Sequence, residues 1–319
     1  MKSPVLSILF LLISVTLLAV PNDFRFRHFS VEDGLSSNSV RAIMQDKYGF
    51  LWIGTEEGLN RYDGIMIKSY SICPQAAGKY ISSLYGTKKN IWIGTDEGIY
   101  IYAYATETFT YFDLTTPNNV RITSIVNHIL QDKDGNLWFS TNGQGLFRYN
   151  LSKNYLEQYE FTSAFGIVAS TMADSDNQIW ALTNQGESGV YKLNKAENKF
   201  EPFGLLYNAG NHHSQALAML EDSEQTLWLG TWECGLQKID KYTRQTTTYL
   251  HPTDGKGVTH IHSLMEYAPH QLLIGSDDGL LLFNTLTEEY KLFTENETVP
   301  NSLSNRFVYP IIKDREGGI

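Results

Sequence analysis

Short apolar runs separated by polar turn residues dominate the chain. Residues 39–46 (SVRAIMQD) are mostly apolar and end in Asp46, and residues 47–49 read as a turn. Residues 50–55 are a second run and 56–58 another turn; 59–62 are a third run closed by Asp63 and Gly64, and 65–70 a fourth. Runs this short, bounded by Gly, Asp and Asn, predict hairpin strands. No segment after residue 21 sustains a 3.6-residue period, so almost no helix is expected.

The unit recurs. Trp52-Ile53-Gly54-Thr55 returns with heads at Trp92, Trp138, Trp180, Trp228 and finally Leu273, at spacings of 40, 46, 42, 48 and 45 residues. An Asp stands six residues before the Trp at Asp46, Asp132, Asp174 and Asp222. There it can accept backbone N–H bonds from the turn that follows. The second turn keeps a glycine, from Gly58 through Gly279, and the fourth run carries an aromatic: Tyr70, Phe112, Tyr159, Phe203, Tyr249 and Phe293. Four antiparallel strands in a repeat of about 40–50 residues make a propeller blade. The leading Trp is expected to pack between blades, and its removal should cost about 3–5 kcal/mol. The small residue two places later marks the close approach of a neighbouring sheet.

The ends of the chain extend this reading. Residues 25–30 (RFRHFS) resemble an orphan fourth strand, because 290–294 (YKLFT) have the same character and both lead to Leu-Ser, at Leu35-Ser36 and Leu303-Ser304. The sixth unit already has its own fourth strand, so the orphan is expected to complete a seventh blade and remove its open edge. That blade begins at about residue 303, and the Asp rule applied to Asp314 puts its Trp at position 320. The expected fold is all-β: a seven-bladed β-propeller of four-stranded antiparallel blades, with blades 1–6 complete and truncated inside blade seven. Residues 24–29 are its closing strand.

Composition narrows the function. Lys2 precedes an apolar run from Val5 to Val20 of signal-peptide size. Residues 1–20 are therefore read as a signal peptide, or else a signal anchor, and 21–319 as an exported, periplasmic propeller. The net charge of −10 argues against nucleic-acid binding. The two cysteines, Cys73 and Cys234, fall in different parts of the repeat and are read as thiols.

Residues 26–63 (FRHFSVEDGLSSNSVRAIMQDKYGFLWIGTEEGLNRYD) resemble the opening repeat of the two-component regulator propeller family. The resemblance extends over nearly all of 24–319. It departs from the pattern at Leu273 and in the long second turn 184–189. It implies the sensor region of a hybrid two-component system of Bacteroidetes, with a histidine kinase elsewhere in the full-length protein, an inner-membrane anchor and a homodimer. It also implies control of polysaccharide-utilisation genes by a glycan or oligosaccharide ligand.

The second-turn loops share one face of a propeller, around its channel, and offer Asn142, Gln144, Gln185, Glu187 and Glu233 among mostly acidic or amide groups. Acids and amides bind hydroxyls, and an aromatic supplies a stacking platform; turn chemistry on a solvated surface is the alternative. Trp232 heads no repeat and stands where other units carry an acid or amide, so it is the leading candidate. The irregular connection 204–215 adds Tyr207, Asn211, His212 and His213. No cofactor, metal site or catalytic residue is assigned: His212-His213 and the pair His260 and His262 lack a recognisable zinc spacing. Rival readings are a propeller lyase or hydrolase acting on glycans and a non-catalytic protein-interaction or dimerisation propeller.

Overall fold

The structure, a computed structural model, describes residues 24–72, 79–161, 166–183, 189–204, 215–251, 257–296, 298–299 and 301–319. The expected leader and Cys73 lie outside these residues. Among them the fold is all-β apart from one 3-10 turn at Val31–Asp33. Six four-stranded antiparallel sheets follow one another along the chain. Blade one consists of Val40–Gln45, Leu51–Thr55, Gly58–Tyr62 and Ile67–Tyr70, paired in chain order. The first strands of the other blades are Ile81–Gly86, Val126–Gln131, Val168–Ala173, Ala216–Glu221 and Ile261–Ala268. Each first strand touches the next, so these six are the inner strands around a central channel.

The recurring Asp does two things. In blade one, Asp46 Oδ1 accepts the N–H groups of Tyr48 and Phe50 at 2.9 and 3.1 Å, which closes the first turn. Its Oδ2 accepts the indole N–H of Trp52 at 2.8 Å. The same indole bond joins Asp132 to Trp138, Asp174 to Trp180 and Asp222 to Trp228. Turn chemistry predicts the first role; the second exists only in the fold. The Thr that ends the tetrad caps the second turn, as Thr55 Oγ1 does by donating to Gly58 O at 3.1 Å.

Each Trp that heads a repeat packs between blades, as expected. Trp52 lies against Tyr102 of blade two, Trp92 against Phe139 of blade three, and Trp228 against Phe283 of blade six. The fourth-run aromatic of its own blade covers it: Tyr70, Phe112, Tyr159, Phe203 and Tyr249 lie 4.8 to 5.8 Å from their Trp. The glycine two places on admits the next inner strand. A Cβ on Gly54 would stand 2.5 Å from Ile81 Cγ2, and one on Gly230 2.5 Å from Ile261 Cγ2.

The seventh blade is where expectation and structure part. Among the described residues six blades are present rather than seven, and neither 24–29 nor 307–313 forms a strand. A strand needs a ladder, and these segments have few of its bonds: Val308 N donates to Ser276 O at 2.9 Å, Phe26 N donates to Asn301 O at 3.1 Å, and Pro310 has no N–H to give. Side chains hold them instead. Phe24, Phe26, Leu303, Val308 and Ile311 pack on Leu273, Leu280 and Leu282 of blade six. On the other side Arg315 donates to the carbonyls of Lys47 and Asp46, at 2.9 and 2.6 Å, and so reaches blade one.

Candidate functional site

Every inner strand breaks register at the same place. Pairing skips Arg41 between Val40 and Ala42, and skips Ser82, Asn127, Ala169, Leu217 and His262 in the later blades. A bulge leaves one residue unpaired and re-aims its side chain. All six of these residues line a channel cavity of about 610 Å³. The terminal segment adds a seventh. The carbonyl of Val308 lies against Gly275 as that of Ile261 lies against Gly230, so Tyr309 follows it as His262 follows Ile261. Tyr309 also lines the cavity. The seven positions form a ring around the axis.

Above that ring, at the end where inner strands begin and second turns lie, a chain of contacts runs from blade five to blade one. The Trp232 ring stacks on His260 with centroids 3.8 Å apart and planes at 29°. Trp232 is 38% exposed. His260 holds a left-handed φ of 47°, a backbone strain of the kind that gathers at functional sites. Asp277 takes a hydrogen bond from His260 Nδ1 on one carboxylate oxygen and from His262 Nε2, at 2.7 Å, on the other. The His262 ring lies 4.4 Å from the Tyr309 ring, and the Arg41 guanidinium lies 4.6 Å over the same Tyr309 ring. Arg41 Nε donates to Glu56 Oε1 at 3.0 Å.

The electrostatics follow from these pairs. Burial pushes His262 below its ordinary value, against the pull of Asp277. Burial would raise Asp277, but its bonds to His260 and His262 outweigh that and hold the carboxyl below the usual range. Deeper in the channel, burial pushes His128 down to about 4, opposed by a backbone hydrogen bond to Thr171. Three acids of the expected ring are paired: Glu56 with Arg41, Glu97 with Lys79, Asp277 with two imidazoles. The site offers fixed, directional hydrogen bonds rather than a free negative field.

The sequence candidates fall in several places. Trp232 and Glu233 stand exposed in the second turn of blade five, and Asn142 lines the cavity. Gln144 spends its amide on backbone, accepting from Thr123 and Ser124 and donating to Arg121 at 2.9 Å. Tyr207, Asn211, His212, His213, Gln185 and Glu187 lie outside the described residues. Arg41, Tyr309 and the bridging role of Asp277 escape sequence reasoning. Among the described residues no group of three or more His, Cys, Asp or Glu is arranged to hold a metal ion.

Comparison with known proteins agrees with this architecture. The family described as two component regulator propeller matches residues 34–57 and 120–143. Histidine kinase P4 of Formosa agariphila is 26% identical over 293 residues, which is 86% of this chain and 21% of that protein. The extracellular domain of BT3049 of B. thetaiotaomicron, named as a hybrid two component system, superposes with a TM-score of 0.76 at 22% identity, over 92% of this chain and 39% of that one. A catalytically inactive virginiamycin B lyase from Staphylococcus aureus, solved with quinupristin, gives a TM-score of 0.63 at 14% identity, over 80% of this chain and 83% of its own. The two structures show the fold, and the chain spans about a fifth of the curated relative's length. The recurring tetrads, the Asp–Trp pairs and the blade order agree with the match of the two component regulator propeller family to residues 34–57 and 120–143.

Proposed function

We propose that this chain is the ligand-sensing propeller of an exported hybrid two-component sensor, and that it takes an oligosaccharide at the channel mouth. The observation that carries the reading is the exposed Trp232 ring stacked on His260, which shares Asp277 with His262, a residue lining a cavity of about 610 Å³. That volume lies within the range of about 300–1,000 Å³ typical of small-molecule sites. An exposed indole beside paired Asp, His and Arg groups suits a ligand with C–H faces and hydroxyls. The likeness to an extracellular sensor domain and to a histidine kinase supports the signalling role. In this reading the domain lies in the periplasm of a membrane-anchored homodimer and governs polysaccharide-utilisation genes. The terminal segment, whose Val308 carbonyl lies against Gly275, covers the side of blade six that faces blade one.

Calorimetric titration with a panel of linear neutral and acidic oligosaccharides tests the reading. Binding by the wild type, weakened about tenfold or more in Trp232→Ala, is expected. A panel with no binder would overturn it. The His-Asp-His cluster also admits a catalytic reading, since a carboxylate orienting imidazoles is acid–base machinery. Turnover of any panel member, lost in His262→Ala, would favour a propeller lyase or hydrolase over a binder.

A further inference from the structure

The ring of bulge positions is chemically lopsided. His262, Tyr309, Arg41, Ser82 and Asn127 follow one another around one arc, and Ala169 and Leu217 close the other. The bulge itself does not require these side chains, because alanine and leucine occupy it in blades four and five. The polar identities therefore answer to something in the channel.

We propose that this ring seats the terminal unit of a neutral saccharide chain. The proposal rests on the oligosaccharide reading above and adds where the chain ends and what that end is. A pyranose has a hydroxyl-bearing edge and a C–H face, and the ring matches both. The polar arc is held in place by its own bonds and keeps capacity to spare. His262 gives Nε2 to Asp277 and retains Nδ1. Ser82 donates to Val126 O at 2.7 Å and retains acceptor lone pairs. Asn127 donates to Val168 O at 2.9 Å and retains its carbonyl oxygen. Groups already oriented lose little freedom on binding. Glu56 neutralises Arg41, and Asp277 is already engaged by both imidazoles. A phosphate or uronate would compete with those carboxylates, whereas neutral hydroxyls would not. Opposite, Ala169 and Leu217 offer an apolar wall for the C–H face.

Position decides end against middle. The bulge ring lies on the inner strands, and inner strands or the terminal segment wall it on every side; His262 of the ring connects through Asp277 and His260 to Trp232 at the end where the second turns lie. A saccharide that touches Trp232 at the rim reaches the ring by its end. An internal unit of a polymer lying across the mouth would drive its flanking units into the walls.

The test is calorimetry on the full chain with neutral glucose, mannose and galactose oligomers, from dimers to about octamers. Each is supplied uncapped, as the methyl glycoside, and with the non-reducing terminus blocked. Expected is an affinity per chain that stops rising beyond about three units, together with a loss of about tenfold or more on blocking one end but not the other. His262→Gln and Tyr309→Phe should weaken binding while melting temperature holds; uronate oligomers of equal length should bind more weakly. Because the capping series uses only the wild type, it decides even if a variant fails to fold. Affinity that keeps climbing with length, indifference to both caps, or binding lost in Trp232→Ala yet unchanged in His262→Gln and Tyr309→Phe would overturn the seat and leave the sensor reading standing. No binding by any oligomer, neutral or acidic, would overturn both.

Discussion

Asp46 Oδ2 accepts the indole N–H of Trp52 at 2.8 Å, and this one bond ties the turn at the base of a blade to the residue that packs against the next. Four blades make it. Blade two does not: the residue six places before Trp92 is Gly86, and Trp92 Nε1 is buried without a partner. An Asp does not fit there unaltered, since a Cβ on Gly86 would stand 2.6 Å from Met44 Cε.

Replacing a Trp by Phe should therefore cost unequal amounts in different blades. Trp138→Phe strips Asp132 of a charge-assisted bond made at 2.8 Å, whereas Trp92→Phe removes an N–H that bonds to nothing. Urea unfolding should show Trp138→Phe less stable than Trp92→Phe by about 1–3 kcal/mol. Equal losses would mean that the indole bond contributes nothing beyond packing.

Gly94→Ala tests the contact between blades two and three. The added methyl would meet the Val126 carbonyl oxygen at 2.9 Å and Ser83 Oγ at 2.1 Å. The hydroxyl can rotate away, but the backbone oxygen belongs to the next inner strand. A loss of about 1–3 kcal/mol is expected, read as a lower unfolding midpoint. Unchanged stability would show that the blades part easily.

His128 should make the fold acid-sensitive. Its folded value of about 4 lies below the ordinary 6.5, so the folded state binds fewer protons than the unfolded one. The stabilising difference is full above pH 6.5 and is lost as pH falls toward 4. The shift corresponds to about 3 kcal/mol at most. Melts of the wild type and His128→Gln from pH 7 to pH 4 should diverge, the variant losing less of its stability. Parallel curves would contradict the burial argument.

Arg315→Ala should loosen the bridge between the terminal segment and blade one. It removes bonds to the carbonyls of Lys47 and Asp46 and should cost about 1–3 kcal/mol. Faster amide exchange is expected in 308–316, where few backbone bonds exist to resist it. Exchange equal to the wild type would show that the apolar contacts of Val308 and Ile311 suffice.

The Trp heads, the Asp and the glycines could be read in advance because each meets a need of one blade or of its nearest neighbour. Trp52 needs a partner sheet, Gly54 needs room, and Asp46 needs a turn to close; those needs repeat with the period. Trp232 was visible for the opposite reason, as a break in the pattern. Arg41, His262 and Tyr309 carry no such mark. Arg41 sits in an apolar run as any surface residue of a strand would, and only the skipped pairing between Val40 and Ala42 turns it into the channel. Asp277 read as one acid among many in second turns; its place between His260 and His262 depends on a strand start and a turn meeting across blade six.

The sequence by itself determined the strand order, the blade as unit and the packing role of its tryptophans, because these depend on short-range alternation and a repeat that copies itself. Tertiary structure alone decided the number of sheets formed, the use of the terminal segments as side-chain-held cover, and the ring facing the axis. Those features arise where inner strands meet around a common channel, and a one-residue break in register there sends a side chain to the opposite face.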